Sequence, residues 1–526
     1  MATYYRFSDV VTRQQIGIIL GPSLFATILL FSPFDISSSA NAALASTLWI
    51  AVWWVTEAIP IPATSLLPIV LFPLTGVADV TTATAPYADS VVFLLLGGFL
   101  LALGIERWSL HRRIALTIVS LVGVESERLL LGFMVATAFL SMWISNSATA
   151  MLMVPIGAAV IISLGSMGEQ GRSTIEGTEG DELITGLRTA PEDRPADGFG
   201  LALMLGIAYS ASIGGLATLI GSPPNAVFAG VAEARLDVQI SFLDWLVFAG
   251  PLAVVFLIVT WVFLVKLLRP EIPLDRGAEA VIRQQHEALG SISRGERRVL
   301  GVFPLVAAGW ILRPFVLQPL FPAITDTVVA IVGGVLLFVI PADYENREFL
   351  LDWTDAARLP WGVLLLLGAG FSLAKGFQES GLDTAIARGL AVIEGVPLVV
   401  LVLVIATVVV FLTEVTSNTA TASVFMPIMI GLGLTLDVSP LILMATTALA
   451  ASMAFMLPVA TPPNAVVFGS GYVTIPQMSR VGLWLNLLGI VAVIGRPHVP
   501  VGCRSPSQLQ DSDRMPAIEL VVTVYS

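Results

Sequence analysis

The chain has 526 residues, 56% of them hydrophobic and only 12% charged, with a mean hydropathy of +0.88. A soluble protein carries about twice that charge, so a water-soluble globular enzyme is excluded in favour of a polytopic membrane protein, whose apolar runs approach the roughly 20 residues that cross a bilayer. A single cysteine, Cys503, rules out an intrachain disulfide and argues against a cysteine metal site; the net charge is −12, and of 26 basic residues only Lys266 and Lys375 are lysines. An acidic, lysine-poor chain suits salt-rich surroundings; a GC-rich genome that favours arginine codons accounts for the same bias.

The polar start, 1–15, runs into an apolar stretch without a small-residue cleavage site, so no cleaved signal peptide is expected. Residues 16–34, 42–60 and 61–77 are predicted spans. The last two join through Glu57-Ala-Ile-Pro-Ile-Pro62, where Glu57 is expected to cap or to sit at the interface. A fourth span, 91–105, precedes residues 106–128, in which Arg107, Arg112, Arg113 and Arg128 are interleaved with Ile, Leu and Val. That pattern predicts an amphipathic helix in the membrane interface, on the cytoplasmic side by its charge.

Residues 129–163 are too long for one span and too short for two, with Ser145-Asn146-Ser147 near the middle. If this stretch crossed the membrane, the connector 266–298, with seven basic and five acidic residues, would lie outside. If it turns back, the connector lies inside, as the positive-inside rule prefers. A re-entrant hairpin is therefore expected. Residues 164–200 form an insertion with eight acids against three arginines, expected to be disordered and cytoplasmic. Spans over 199–231 and 242–268 follow.

The second half repeats the plan, with spans at 299–317, 327–340 and 361–377, a second hairpin at 397–432 and a broken span at 441–473. The connector 378–395 holds only Arg388 against three acids, whereas its counterpart 106–128 is basic. The same element is thus expected on opposite sides, the mark of an inverted repeat. Residues 343–358 belong inside on this count, yet carry two arginines and five acids. Residues 484–495 begin a last span with too few apolar residues for a crossing, and 496–526 turn polar; a truncated or frameshifted reading frame would explain that end. The fold class expected is all-α, two inverted repeats with re-entrant helical hairpins and broken transmembrane helices. Its parts are an N-terminal scaffold with the interfacial helix (1–128), a first transport half (129–268), a second scaffold half (269–396), a second transport half (397–495) and an atypical tail (496–526).

Four polar breaks carry the chemistry. Ser145-Asn146-Ser147 falls on Ser417-Asn418-Thr419 at an offset of 272, which also pairs Pro155 with Pro427 and Phe99, Ala102 and Gly104 with Phe371, Ala374 and Gly376. Gly221-Ser-Pro-Pro-Asn225 falls on Ala460-Thr-Pro-Pro-Asn464 at an offset of 239, and the acidic insertion accounts for the difference. Hydrocarbon offers no water to hydroxyls and amides, so these groups must face protein, a cavity or a polar ligand. Paired prolines unwind a helix. Unwinding frees carbonyl oxygens suited to a cation such as Na⁺, and creates half-helix N-termini that favour an anion. A lone Ser-Asn-Thr is usually a cap or a packing detail; two copies at constant offset, each followed by a Pro-Pro-Asn break, point to a site at a repeat interface. Glu414, whose counterpart is Met142, is either a proton carrier or a water-facing or paired carboxylate. No histidine lies in an apolar segment, which argues against an intramembrane hydrolase, and inverted repeats with broken helices fit alternating access better than a channel.

On Trp53-Trp-Val-Thr-Glu-Ala-Ile-Pro60, Gly97-Gly-Phe-Leu-Leu-Ala102, both Ser-Asn-Thr-type triplets and both Pro-Pro-Asn breaks, the chain resembles the divalent anion/sodium symporter family over about residues 16–495. The resemblance implies eleven spans and two re-entrant hairpins, a homodimer in the cytoplasmic membrane, an elevator motion, and Na⁺-coupled carriage of di- or tricarboxylates with no other cofactor. It also implies a first Na⁺ site at Ser141, Ser145, Asn146 and the Gly221 carbonyl, and a second at Thr413, Thr416, Asn418 and the Ala460 carbonyl. Substrate carboxylates would meet Asn146, Ser147, Ser222, Ser417, Asn418, Thr419, Thr461 and Pro462. Ser147 departs from the family's usual Thr, keeping the hydroxyl and losing a methyl. A Na⁺-independent dicarboxylate exchanger and a sulfate carrier are the alternatives.

Overall fold

The protein is described by a computed structural model covering residues 12–123, 125–169, 198–269, 277–390 and 395–495. Most of the acidic insertion and the whole tail lie outside these residues.

Apart from a two-stranded antiparallel ribbon, Pro341–Asp343 with Glu348–Phe349, the described residues are helical. Nine helices among them are long and apolar enough to cross a membrane. Two of the nine, Asn146–Ser163 and Asn418–Thr435, are the second arms of hairpins. Taking each broken helix as one path and adding Ser38–Thr56 for its 19-residue length, the candidate crossings are Arg13–Phe31, Ser38–Thr56, Ile61–Thr75, Ser90–Arg107, Gly198–Leu216 with Pro223–Leu236, Phe242–Leu268, Arg294–Leu312, Asp326–Val339, Trp361–Ser380, Pro440–Ala451 with Pro462–Gly469, and Ile475–Ile494. That makes eleven paths among the described residues, as expected.

The two hairpins are Ser126–Ser141 with Asn146–Glu169, and Leu398–Thr413 with Asn418–Thr435. The first turns back to the side it left. Helix Gly277–Ala288 packs on both the interfacial helix Leu110–Val122 and the second hairpin arm. Arg113 ties the same end together: its Nε donates to Glu296 Oε1 at 2.9 Å and one of its terminal nitrogens to Gly290 O at 3.2 Å. The start of the hairpin, its return and the connector therefore share one side.

The ambiguous segment 343–358 resolves through its partners. Arg107 at the end of the fourth span pairs with Glu348 (3.4 Å), Asp352 (2.9 Å) and Asp355. The acids that made the segment look misplaced neutralise Arg107. The Thr354 hydroxyl and Arg107 hold the exposed Asp352 carboxyl down at about 2. Glu57 ends its helix in the left-handed region (φ 49°) and meets Arg13 at 3.3 Å, an exposed contact.

The last span needs correcting. Ile475–Ile494 is a full 20-residue helix, begun by a capping box in which Thr474 accepts from Gln477 N and the Gln477 side chain reaches back. Its polar residues hid it from a reading that sought an unbroken apolar run. Asn486 is fully buried and bonded, so it counts as interior surface rather than as a break.

The hairpin assignment predicts that cysteines placed at Ser173 and Ser291, in a chain with Cys503 replaced, react alike with an impermeant thiol reagent. Both should stay unlabelled in intact cells and label after lysis. Labelling of only one before lysis would mean that residues 129–163 cross.

Candidate functional site

All four motif breaks become helix N-termini. Asn146 opens the second arm of the first hairpin and Asn418 that of the second; Pro223 and Pro462 open the second segments of the broken helices. Local chemistry explains each start. Ser145 Oγ accepts from Ala148 N at 3.2 Å, Ser417 Oγ from Ala420 N at 3.5 Å and Thr461 Oγ1 from Asn464 N at 3.4 Å. Proline at the first helical position loses no bond it needed. The carbonyl ends of the preceding helices, Ser141, Leu216, Thr413 and Ala451, lie one turn or loop away, so positive and negative helix ends alternate around the breaks.

The breaks of the two halves also meet. Segment Pro223–Leu236 packs on helix Asn418–Thr435, helix Asn146–Glu169 packs on segment Pro462–Gly469, and Ser222 Oγ lies 3.0 Å from Ser452 Oγ. Ser452 was not anticipated.

Around the first tip, Ser141, Asn146 and Gly221 come together as anticipated. One amide position of Asn146 lies 2.6 Å from Ser141 Oγ and 3.2 Å from both Gly221 O and Ala211 O. Ser141 Oγ also lies 2.6 Å from Ala211 O. If that position is the nitrogen, it donates to the oxygens around it; if it is the oxygen, one serine proton serves a whole cluster of oxygens, the arrangement a small cation completes. Gly215 makes room: a Cβ there would lie 2.6 Å from the Asn146 amide and 3.0 Å from Gly221 O. Ser145, the fourth anticipated ligand, uses its oxygen as the cap.

The second tip repeats the core of this pattern. Thr413 Oγ1 lies 2.6 Å from Asn418 Oδ1 and 3.0 Å from Ala451 O, again one proton for two acceptors. Thr416 is engaged differently: its hydroxyl reaches Leu412 O at 2.9 Å and Thr421 Oγ1 at 2.6 Å. Ala460 closes the loop, its N–H donating to Leu457 O at 3.1 Å.

Among the anticipated substrate residues, Ser147 is half-buried and Thr419 buried, and neither hydroxyl has a hydrogen-bond partner among the described residues. Ser222 and Thr461 are buried and bonded; Pro462 is exposed. Among the described residues, no three His, Cys, Asp or Glu side chains gather where they could hold a metal. Any cation here meets neutral oxygens.

Two residues of the repeated motif received no separate role from the sequence. Asn225 Nδ2 donates to Gly215 O (3.0 Å) and Thr218 O (2.8 Å); Asn464 Nδ2 donates to Ala454 O (3.3 Å) and Leu457 O (3.0 Å). At the offset of 239 these are the same contacts. Their equal position behind Pro-Pro was the available signal. Each amide ties down carbonyls that the break frees.

Comparison with known proteins now has a geometry to stand on. The family profile described as "Sodium:sulfate symporter transmembrane region" matches residues 18–497. The chain belongs to the sodium:sulfate symporter family. It is a multi-pass membrane transporter, not an enzyme. The sodium-dependent dicarboxylate transporter SdcS of Staphylococcus saprophyticus is 44% identical over 91% of this chain and 90% of its own length. SdcS of Staphylococcus aureus strain MRSA252 is 43% identical over 92% and 90%. Among solved structures, MtrF of Neisseria gonorrhoeae, described as illuminating a class of antimetabolite efflux pumps, superposes with a TM-score of 0.53 at 12% identity, covering 90% of this chain and 96% of its own. The Alcanivorax borkumensis YdaH transporter gives 0.51 at 14%, covering 87% and 98%. At such identities these two speak for the fold alone. The symporter resemblance carried by the motifs holds.

Because the two motif asparagines do the same work, Asn225→Ala and Asn464→Ala should destabilise alike. Each takes a donor away from two buried carbonyls, at a cost of about 1–3 kcal/mol, readable as a lowered melting temperature of the purified protein in detergent. An effect at one position and none at the other would break the equivalence.

Proposed function

We propose that this family member is a secondary active transporter that couples Na⁺ to the movement of small di- or tricarboxylates, such as succinate, malate, fumarate or citrate, across the cytoplasmic membrane. The observation that carries the reading is the crowding of oxygens at each tip, Ser141, Asn146, Ala211 and Gly221 in one half and Thr413, Asn418 and Ala451 in the other. The relatives named as sodium-dependent dicarboxylate transporters supply the substrate class.

In this reading one Na⁺ binds at Ser141, Ser145, Asn146 and the Gly221 carbonyl. A second binds at Thr413, Thr416, Asn418 and the Ala460 carbonyl. The Ser145 and Thr416 oxygens keep a lone pair beyond their present contacts. The substrate carboxylates take N–H and O–H donors from Asn146, Ser147, Ser222, Ser417, Asn418, Thr419 and Thr461, against Pro462. Four helix N-termini, rather than a fixed cation, face the anion.

Alternating access through a homodimer is part of the same proposal. Unequal exposure of equivalent positions supports it: Met151 is 56% exposed where Ser423 is fully buried, and Phe468 is 38% exposed where Ala229 is buried.

Uptake of labelled succinate, citrate and sulfate into proteoliposomes, with and without a Na⁺ gradient, tests the reading. Na⁺-driven succinate uptake is expected, and Asn146→Ala or Asn418→Ala should abolish it. Uptake that ignores Na⁺ would favour an exchanger, and preference for sulfate would reassign the substrate.

Ser147 and Thr419 test the substrate side. Losing one hydroxyl underpairs a carboxylate oxygen in a dry site, about 1–3 kcal/mol, so Ser147→Ala and Thr419→Val should each raise the apparent substrate constant roughly five- to a hundredfold. Ser147→Thr keeps the hydroxyl and should keep transport, with a narrower range of competing anions. An unchanged competition profile in all three variants would remove these hydroxyls from the site.

A further inference from the structure

Glu414 stands out because it is the only charged residue in or beside the four breaks, within residues 138–150, 212–225, 410–422 and 451–464. It is also buried, 3% exposed. It meets no cation. Oε1 accepts from Phe455 N at 2.8 Å, Met456 N at 2.9 Å and Asn486 Nδ2 at 2.7 Å; Oε2 accepts from Met456 N at 3.1 Å and Leu457 N at 3.0 Å. Both oxygens thus face N–H donors, which suits a carboxylate acting purely as acceptor, seated in a nest of successive backbone amides. A proton carrier needs a path to an exchange partner; this group is fully occupied in holding a turn.

The equivalent junction in the first half is built with opposite polarity. Met142 stands where Glu414 does, and Thr218 stands where Leu457 does. There the loop side chain donates to the tip backbone: Thr218 Oγ1 bonds Met142 O at 2.6 Å and accepts from Gly221 N at 3.0 Å. In the second half the loop backbone donates to the tip side chain. Both devices fasten the unwound loop of the broken helix to the turn of its hairpin, and in the first half that loop brings Gly221 O to 3.2 Å from the Asn146 amide.

We infer that Glu414 is a positioning residue for the second cation site, fastening the 455–457 turn to the hairpin so that the carbonyl end of the loop and the Thr413–Asn418 pair are held in register. This rests on the reading of that site as a Na⁺ site. The connection is short and continuous. Glu414 follows Thr413 directly, Leu457 N is held by Glu414, and Leu457 O receives both Ala460 N (3.1 Å) and Asn464 Nδ2 (3.0 Å). Asn486 brings the last span into the clamp. That span lies close enough for the role: a Cβ on Gly482 would lie 2.1 Å from Phe455 O, and Ser479 Oγ donates to Met456 O at 3.2 Å.

The test uses the full chain in proteoliposomes and reads two constants for succinate uptake, Na⁺ at saturating succinate and succinate at saturating Na⁺. Glu414→Gln keeps the shape but turns an amide N–H₂ toward N–H donors. Glu414→Met installs the first half's residue and leaves the Met456 and Leu457 amides without an acceptor, Phe455 N keeping only Asn486 Oδ1 at 3.2 Å. Both should raise the Na⁺ constant about tenfold or more, ~1.4 kcal/mol, and move the succinate constant far less. The pair Glu414→Met with Leu457→Thr rebuilds the first half's junction, and should recover much of the lost Na⁺ affinity. Hydrogen exchange of the 453–459 backbone supplies an independent readout: faster in Glu414→Met, slowed again in the double variant. Single variants with an unchanged Na⁺ constant, or a double variant no better than Glu414→Met in either readout, would overturn the proposal. Should uptake by the unsubstituted protein ignore Na⁺, the functional reading fails and takes the cation-site role with it, while the exchange data still decide the clamp.

Discussion

The architecture depends on one constraint: every helix broken inside hydrocarbon must pair its freed backbone groups within the protein. Four breaks multiply that demand, and the chain meets it the same way twice. Paired prolines end the hydrogen-bond ladder and the following asparagine reaches back to the carbonyls left behind; at the second break the Thr461 hydroxyl also caps the new helix, whereas Ser222 turns to Ser452. Asn225 and Asn464 each have Nδ2 fully used and Oδ1 buried without a partner among the described residues. An amide that sacrifices its acceptor to satisfy carbonyls marks how strongly those carbonyls need a donor.

The repeat is most informative where it fails. Thr421 bonds Thr416, but the counterpart of Thr416 is Ile144, and Thr149, the counterpart of Thr421, has a hydroxyl with no partner among the described residues. The halves therefore cannot build identical oxygen cages. The Thr416–Thr421 hydroxyl pair of the second tip has no equivalent in the first, where Gly221 O and Ala211 O crowd around the Asn146 amide. Met142 and Glu414 diverge with a compensating exchange at Thr218 and Leu457, so the fastening survives although its chemistry is reversed.

Much of this was legible in the residues. Constant offsets exposed the repeat, charge bias exposed the hairpin, and Pro-Pro exposed the breaks, because each follows from local chemistry: a missing N–H, an unsatisfiable polar group, a cation that does not cross. Partners distant in sequence were not legible. Nothing local says that Glu414 meets residues 455–457 and Asn486, that Ser222 meets Ser452, or that Arg107 answers the acids of 343–358. The last span was missed for the same reason: Asn486 counts against a crossing until its buried partner is known. Its capping box at Thr474 and Gln477 was the local signal that could have found it.

Charge in this molecule is segregated by task. Arg107, Arg113, Arg235 and Arg313 pair with acids at the ends of elements, Arg235 with Asp383 and Arg313 with Asp326 at 2.5 Å each, and there they fix how segments meet. The tips and breaks hold no basic residue, and their one acid is committed to backbone amides. A dianion entering such a site finds dipoles but no countercharge, and in a low dielectric dipoles alone leave a large part of its desolvation uncompensated. In the proposed reading, Na⁺ ions seated in the oxygen clusters of the two tips supply what the side chains withhold. A fixed arginine would hold the anion whether or not the ions were present. Neutral donors leave that decision to the ions, which is the physical requirement for coupling one flux to another.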